Sequence, residues 1–325
     1  MYPEIHYQIE ESRQSGGART ATVFGCYGVS PEIYLPAQIH GVPVTKIGDY
    51  GFAKTDEKRS LFIFLPEEEG NMPEERRRLC EELVEEVHLP SQVWEIGRYA
   101  FYRCSRLKRL SFTDSLQSIE GGAFTGCQLA RLDIACRQTR RTCLRQFLEE
   151  QRFELEVRIS YEDGDNVEVA RLIFPEHYEE AVENTPARIV ETHYHGAGGD
   201  YRQCVYHKEI DYEEYDSLFA KAKARESVRT LIEIALARLC FPYRLSEQAR
   251  EEYTSFLRKC AGDTADLLFV RDDMETVLFL LEHRIWEGES LEEALDKAQE
   301  IGQAEAAALL LSKRRGTAGK KTFEL

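Results

Sequence analysis

The chain has 325 residues, a formal net charge of −16 and a hydrophobic fraction of 42%. That length suits two or three domains. The acidic balance argues against nucleic-acid binding, which needs clustered Lys and Arg, and against an anionic membrane surface; no stretch approaches the roughly 18 apolar residues of a spanning helix.

The start, Met1-Tyr2-Pro3-Glu4-Ile5-His6, has neither a basic n-region nor an apolar h-region, so no signal peptide is expected. Nine cysteines occur, none at Cys-x-x-Cys spacing, which disfavours a zinc ribbon or thioredoxin-like motif. Without a secretory signal, the expectation is reduced thiols in the cytoplasm. Tyr7–Glu10 and Ala21–Phe24 flank Ser15-Gly16-Gly17 and read as a capping hairpin.

A repeat follows. Val87-His88-Leu89-Pro90, with Val93, Ile96, Ala100, Phe101 and Cys104, recurs 23 residues later as Leu110-Ser111-Phe112-Thr113, with Leu116, Ile119, Ala123, Phe124 and Cys127. An earlier copy carries Ile33, Leu35, Pro36, Val44, Ile47 and Phe52, separated from the next by an insertion of 26 residues. A partial fourth copy runs from Leu129 to about Ile134. Stacked coils put like on like: Val87 on Leu110 and Leu132, Ile47 on Ile96 and Ile119, Phe52 on Phe101 and Phe124. One coil cannot bury its own face, so about three or more must stack. Gly48 and Gly97 are read as tight-turn residues, and Cys104 and Cys127 as small buried packing residues.

The pattern Val84-x-x-Val87-x-Leu89-Pro90-x-x-Val93-x-x-Ile96-Gly97-x-x-Ala100-Phe101-x-x-Cys104 resembles the BspA-like leucine-rich repeat family of bacterial proteins over about residues 30–134. The resemblance implies a solenoid that presents a sheet face to partners, and no catalytic residues. Many members of that family are surface-exposed. Glu120 in place of the turn Gly, Gly51 in place of Ala, and the insertion depart from its pattern.

In the insertion, Pro73-Glu74-Glu75 predicts a helix start. Arg137–Glu150 reads as a helix that covers the last coil. Leu155–Ile159 and Val167–Phe174 predict a hairpin about Glu162–Asn166. A second hairpin is expected from 187–195 and 201–210, turning at Gly196-Ala197-Gly198-Gly199. From Tyr212 the text is helical, with segments at 212–224, 227–239, 246–259, 264–271, 274–283, 291–301 and 304–315. Ser290 and Glu293 suggest a capping box. Residues 273–281 match 303–311 at an offset of 30, and with 293–302 they resemble a degenerate ankyrin repeat without its Thr-Pro-Leu-His signature.

The fold class is therefore α+β. A leucine-rich repeat domain with hairpin and helix caps spans 1–150, a β-hairpin-rich segment 151–211, an all-α, helical-repeat-like region 212–315, and a disordered tail 316–325. Gly-x-Ser-x-Gly, His-Glu-x-x-His and the P-loop do not occur. The expected function is a non-catalytic protein-interaction scaffold with no cofactor, metal, nucleic-acid or membrane partner. Its candidate contact face comprises the outward positions Tyr34, Glu86, His88, Arg109, Ser111, Arg131 and Asp133. The alternative is a metal- or cysteine-dependent enzyme on the 187–210 hairpin. There His193 and His195 share a strand face, and the register decides whether His207 or Cys204 joins them.

Overall fold

The structure is a computed structural model that describes residues 2–11, 17–55, 59–65, 76–184 and 189–318. The chain forms two compact units, Met1–Val169 with Phe174–Asp211, and Ala170–Ile173 with Tyr212–Leu325. No helix among the described residues is long and apolar enough to cross a membrane.

The first unit opens with an antiparallel hairpin, β1 (Glu4–Glu11) and β2 (Arg19–Gly28). Then come β3 (Glu32–Tyr34), β4 (Gln38–Ile39), β5 (Val42–Ile47), β6 (Phe62–Phe64), β7 (Arg77–Arg78), β8 (Glu86–His88) and β9 (Glu95–Ile96). They are followed by β10 (Arg109–Thr113), β11 (Ser118–Ile119), β12 (Arg131–Cys136), the helix α1 (Leu144–Glu150), β13 (Leu155–Asp163) and β14 (Asn166–Phe174), of which Ala170–Ile173 count with the second unit. Two sheets result. One runs β11-β9-β5-β2-β1-β6, with β4 beside β5 and β7 beside β2; the other runs β14-β13-β12-β10-β8-β3.

Three coils, those of β3 and β5, β8 and β9, and β10 and β11, give one strand to each sheet, and their apolar residues point between them. Val87, Leu110 and Leu132 lie opposite one another in parallel register and are fully buried, as are Ile47 and Ile96. Phe52, Phe101 and Phe124 form a continuous stack, with centroids 4.8 and 5.2 Å apart and ring planes 5° and 7° apart. Cys104 and Cys127 are buried beside it, and their thiols donate to the carbonyls of Phe52 and Phe101. Burying one such ring contributes about 1.5–3 kcal/mol. Backbone bonds such as Trp94 N to Thr45 O and Gln117 N to Trp94 O tie successive coils together.

The solenoid is longer than the repeat pattern indicates. β13 pairs parallel with β12, so Val157 continues the row of Leu132 and Ile159 that of Ile134. The parallel strands β3, β8, β10, β12 and β13 give about five turns. β3, at the edge of its sheet, is short and lies between Pro31 and Pro36.

Gly48 and Gly97 are required for close approach, not for a left-handed turn. A Cβ on Gly48 would fall 2.2 Å from the Phe24 ring, and one on Gly97 2.5 Å from Asp49 Oδ1. The left-handed residues sit two further on, at Tyr50 (φ 59°), Tyr99 (φ 53°) and Gly122 (φ 71°).

The helix expected from Pro73 does not continue into the described residues; Pro73–Glu75 lie outside them. Arg77–Arg78 instead pair with Tyr27–Gly28 of β2, and only Glu81–Leu83 form a 3₁₀ turn. The helix expected from Arg137 starts at Leu144. The carboxylate of the buried Asp114 holds the backbone ahead of it, accepting from Gln138 N at 2.7 Å and Thr139 N at 2.6 Å.

The first unit closes with β15 (Tyr178–Asn184), β16 (Ile189–His195), α2 (Gly198–Gln203), β17 (Val205–Tyr206) and β18 (Glu209–Ile210). β16 pairs with β15, not with residues 201–210 as the sequence suggests. The Gly-rich stretch begins a helix because it packs on the 175–176 backbone. A Cβ on Gly198 would lie 2.2 Å from Glu176 O. Arg202 fixes the packing by donating to the carbonyls of Pro175, Gln151 and Phe153.

The second unit contains α3 (Tyr212–Ser217), α4 (Phe219–Ala222), α5 (Val228–Cys240), α6 (Glu247–Lys259), α7 (Ala261–Val270), α8 (Met274–Glu282), α9 (Glu289–Ile301) and α10 (Ala304–Ala318). Ser227, Ser246 and Asp273 cap α5, α6 and α8, accepting from Thr230 N, Ala249 N and Thr276 N. Ser290 is no cap: α9 begins one residue earlier behind Gly288 (φ 59°), and the Ser290 hydroxyl donates to Glu287 O instead. Inside the unit, fully buried Arg238 forms a two-point ion pair with Asp216, at 2.7 and 2.9 Å, and Tyr253 OH donates to Asp216 at 2.9 Å.

Candidate interaction face

Because side chains alternate along a strand, the residues on either side of each buried ladder residue point outward. The parallel register stacks them into two rows. One row is Glu32, Glu86, Arg109, Arg131 and Glu156; the other is Tyr34, His88, Ser111, Asp133 and Arg158. Tyr34, Glu86, His88, Arg109, Ser111, Arg131 and Asp133 all lie in these rows. Glu32, Glu156 and Arg158 belong to the same rows and escaped the sequence reading. Glu32 precedes Ile33 just as Glu86 precedes Val87, so extending the coil alignment by one residue would have found it. Glu156 and Arg158 lie on β13, a strand that has lost the Pro and Gly markers of the repeat.

The charges pair along the rungs. Arg109 Nε donates to Asp133 Oδ2 at 2.6 Å, and Arg109 Nη1 lies 3.5 Å from Glu86 Oε2. Arg131 donates to Asp133 Oδ1 at 2.9 Å and lies 3.7 Å from Glu156. Arg109 and Arg131 are direct neighbours across β10 and β12, a repulsive arrangement by itself, and Asp133 offsets it by serving both. Burial would raise the Asp133 carboxyl, but the hydrogen bonds from Arg131 and Arg109 outweigh it and hold the group below the usual range. The same contact raises Arg109.

At the β3 end, the Tyr34 ring stacks on the His88 ring, with centroids 4.1 Å apart and planes at 3°. The Tyr34 hydroxyl donates to Glu32 Oε1, which lowers the Glu32 carboxyl and raises the tyrosine. His88 Nε2 lies 3.5 Å from Glu32 Oε1 and 3.7 Å from Glu86 Oε2. It is shielded from solvent and, among the described residues, makes no hydrogen bond of normal geometry. A groove of about 530 Å³ runs along the face, lined by His88, Arg109, Ser111, Asp133, Arg137 and Arg158 among others.

The hairpin expected to carry the alternative site is replaced by the β15–β16 pair. His193 and His195 lie opposite Glu180 and Tyr178 on β15, and their side chains fall outside the described residues. His207 is in the β17–β18 turn with φ 45°. Cys204 is buried, its thiol 3.9 Å from Asp200 O. The pairing that would carry His207 or Cys204 to the face of His193 and His195 is absent, because 198–203 is helical.

Residues 76–157 match the BspA type leucine rich repeat region, a unit of 6 copies. The parallel rungs from β8 to the start of β13 fall within that span. No curated protein matches the chain. Among solved structures, a leucine rich cell surface protein from Faecalibacterium prausnitzii A2-165 matches at 26% identity and a TM-score of 0.21. The match covers 42% of this chain and 26% of that one, so it spans about a quarter of that protein's length.

Proposed function

We propose that the chain is a non-catalytic scaffold that binds a protein partner through the outer face of its leucine-rich solenoid. The observation that carries this reading is the pair of in-register polar rows across five rungs, which display side chains at fixed spacing on a rigid support. Tyr34, Glu86, His88, Arg109, Ser111, Arg131 and Asp133 are the proposed contacts, with Tyr34 42% exposed and stacked on His88. The helical unit belongs to the proposal as a second stacking module of ankyrin-like character. What supports that part is the thirty-residue offset between the starts of α8 and α10, at Met274 and Ala304. A cytoplasmic location is also part of the reading, supported by nine cysteines that are all free thiols.

The test is affinity capture with the full chain against the double variant His88→Ala/Arg109→Ala. A partner retained by the wild type and lost by an equally stable variant supports the face. Unchanged recovery removes it.

A further inference from the structure

We propose that Glu32, Glu86 and His88 form a binding site for a first-row divalent cation of the Zn²⁺ class. The donor atoms, two carboxylate oxygens and one imidazole nitrogen, all lie within 4.8 Å of one another. Ligands around a tetrahedral zinc ion, with bonds of about 2.0–2.2 Å, sit roughly 3.3–3.5 Å apart. The separations of His88 Nε2 from Glu32 and Glu86, 3.5 and 3.7 Å, therefore need only a small contraction.

Two further features favour a cation over a simple ion pair. The contacts are longer than the roughly 2.7–3.2 Å of an N–H···O bond, and His88 Nε2 is shielded without a hydrogen bond of normal geometry among the described residues. A metal ion between the three groups satisfies that nitrogen. The surroundings also hold each donor in place, as outer-shell groups do in metal sites. Tyr34 clamps the imidazole by stacking and anchors Glu32 through its hydroxyl. Arg109 touches Glu86 but is anchored on Asp133 at 2.6 Å, so it keeps its main partner when Glu86 turns to a metal. The Glu32 and Glu86 side chains are 45% and 35% exposed, so the ion can arrive from their side. Three protein donors leave one position open for water or for a donor from another molecule. Imidazole with carboxylate suits zinc or cobalt, whereas calcium and magnesium prefer oxygen alone.

The site does not depend on the interaction reading: metal binding and partner capture are separate measurements. The test titrates Co²⁺, a coloured substitute for Zn²⁺, into the full chain, with the cysteines as an internal control. One equivalent should give the visible d–d bands of tetrahedral cobalt without thiolate charge transfer and should be displaced by Zn²⁺. Zn²⁺ should shift the ring-nitrogen resonances of His88. Glu86→Gln and Glu32→Gln, both at partly exposed positions, should each weaken binding on the order of 10-fold or more, and Tyr34→Phe by roughly 10-fold. No saturable Co²⁺ or Zn²⁺ binding by the wild type overturns the proposal. So does binding that survives both glutamine variants, or a thiolate-dominated spectrum.

Discussion

Phe101 stacks on Phe124 with ring planes 7° apart and centroids 5.2 Å apart, each ring contributed by the same position of successive coils. Phe101 also stacks on Phe52 and is fully buried, so no solvent can fill the space if it is truncated. Phe101→Ala should therefore cost about 3–5 kcal/mol of stability. Urea unfolding followed by circular dichroism should show the loss in the β-rich transition.

Asp133 keeps Arg109 and Arg131 apart electrostatically. Asp133→Asn should cost about 0.5–1 kcal/mol near neutral pH, since the network is partly exposed. In the fold the carboxyl titrates below its ordinary value of 3.8. The unfolded chain therefore binds the proton more readily, and the contribution is complete above 3.8 and lost as pH falls through the lower folded value. Urea titrations of both proteins at about pH 7 and about pH 3 should show the difference narrowing in acid.

The second unit has its own electrostatic weak point. Arg238 is fully enclosed and Asp216 is its only carboxylate partner among the described residues. Asp216→Ala leaves a buried guanidinium without a counter-charge, which should cost about 3–5 kcal/mol. The helical signal should melt earlier in a thermal scan.

Thiol reactivity should follow burial. Desolvation pushes Cys127, Cys143 and Cys136 up to about 12, and Cys240 likewise. Cys260 is raised as well, but it and Cys240 are the two cysteines that are not fully buried. The thiolate is the reactive form, so a native chain treated with Ellman's reagent should label Cys260 first and the solenoid cysteines only after denaturation. Peptide mapping identifies the modified positions.

Much of this architecture is legible in the sequence because the coil period repeats Val87, Ile96 and Phe101 as Leu110, Ile119 and Phe124. Only stacking makes such a recurrence useful. β13 escaped because Val157 and Ile159 keep the inward alternation while the Pro, Gly and Phe of the coil are gone, and alternation alone cannot distinguish a parallel rung from a hairpin arm. Gly198 misled in another way. Its value lies in close contact with Glu176 O, a neighbour that only the tertiary structure supplies. The outward rows were half visible: seven positions follow from the alternation, but the clamp of Tyr34 on His88 needs two rungs brought together across 54 residues of chain.

The strand Glu32–Tyr34 has a consequence for assembly. Among the described residues it is the outermost strand of its sheet, and an unpaired margin invites another chain to add a strand. Here that margin is three residues long and bracketed by Pro31 and Pro36, neither of which has an N–H to offer. Copies of the protein are thus discouraged from joining end to end into a filament, and the column of coils stops growing at this terminus.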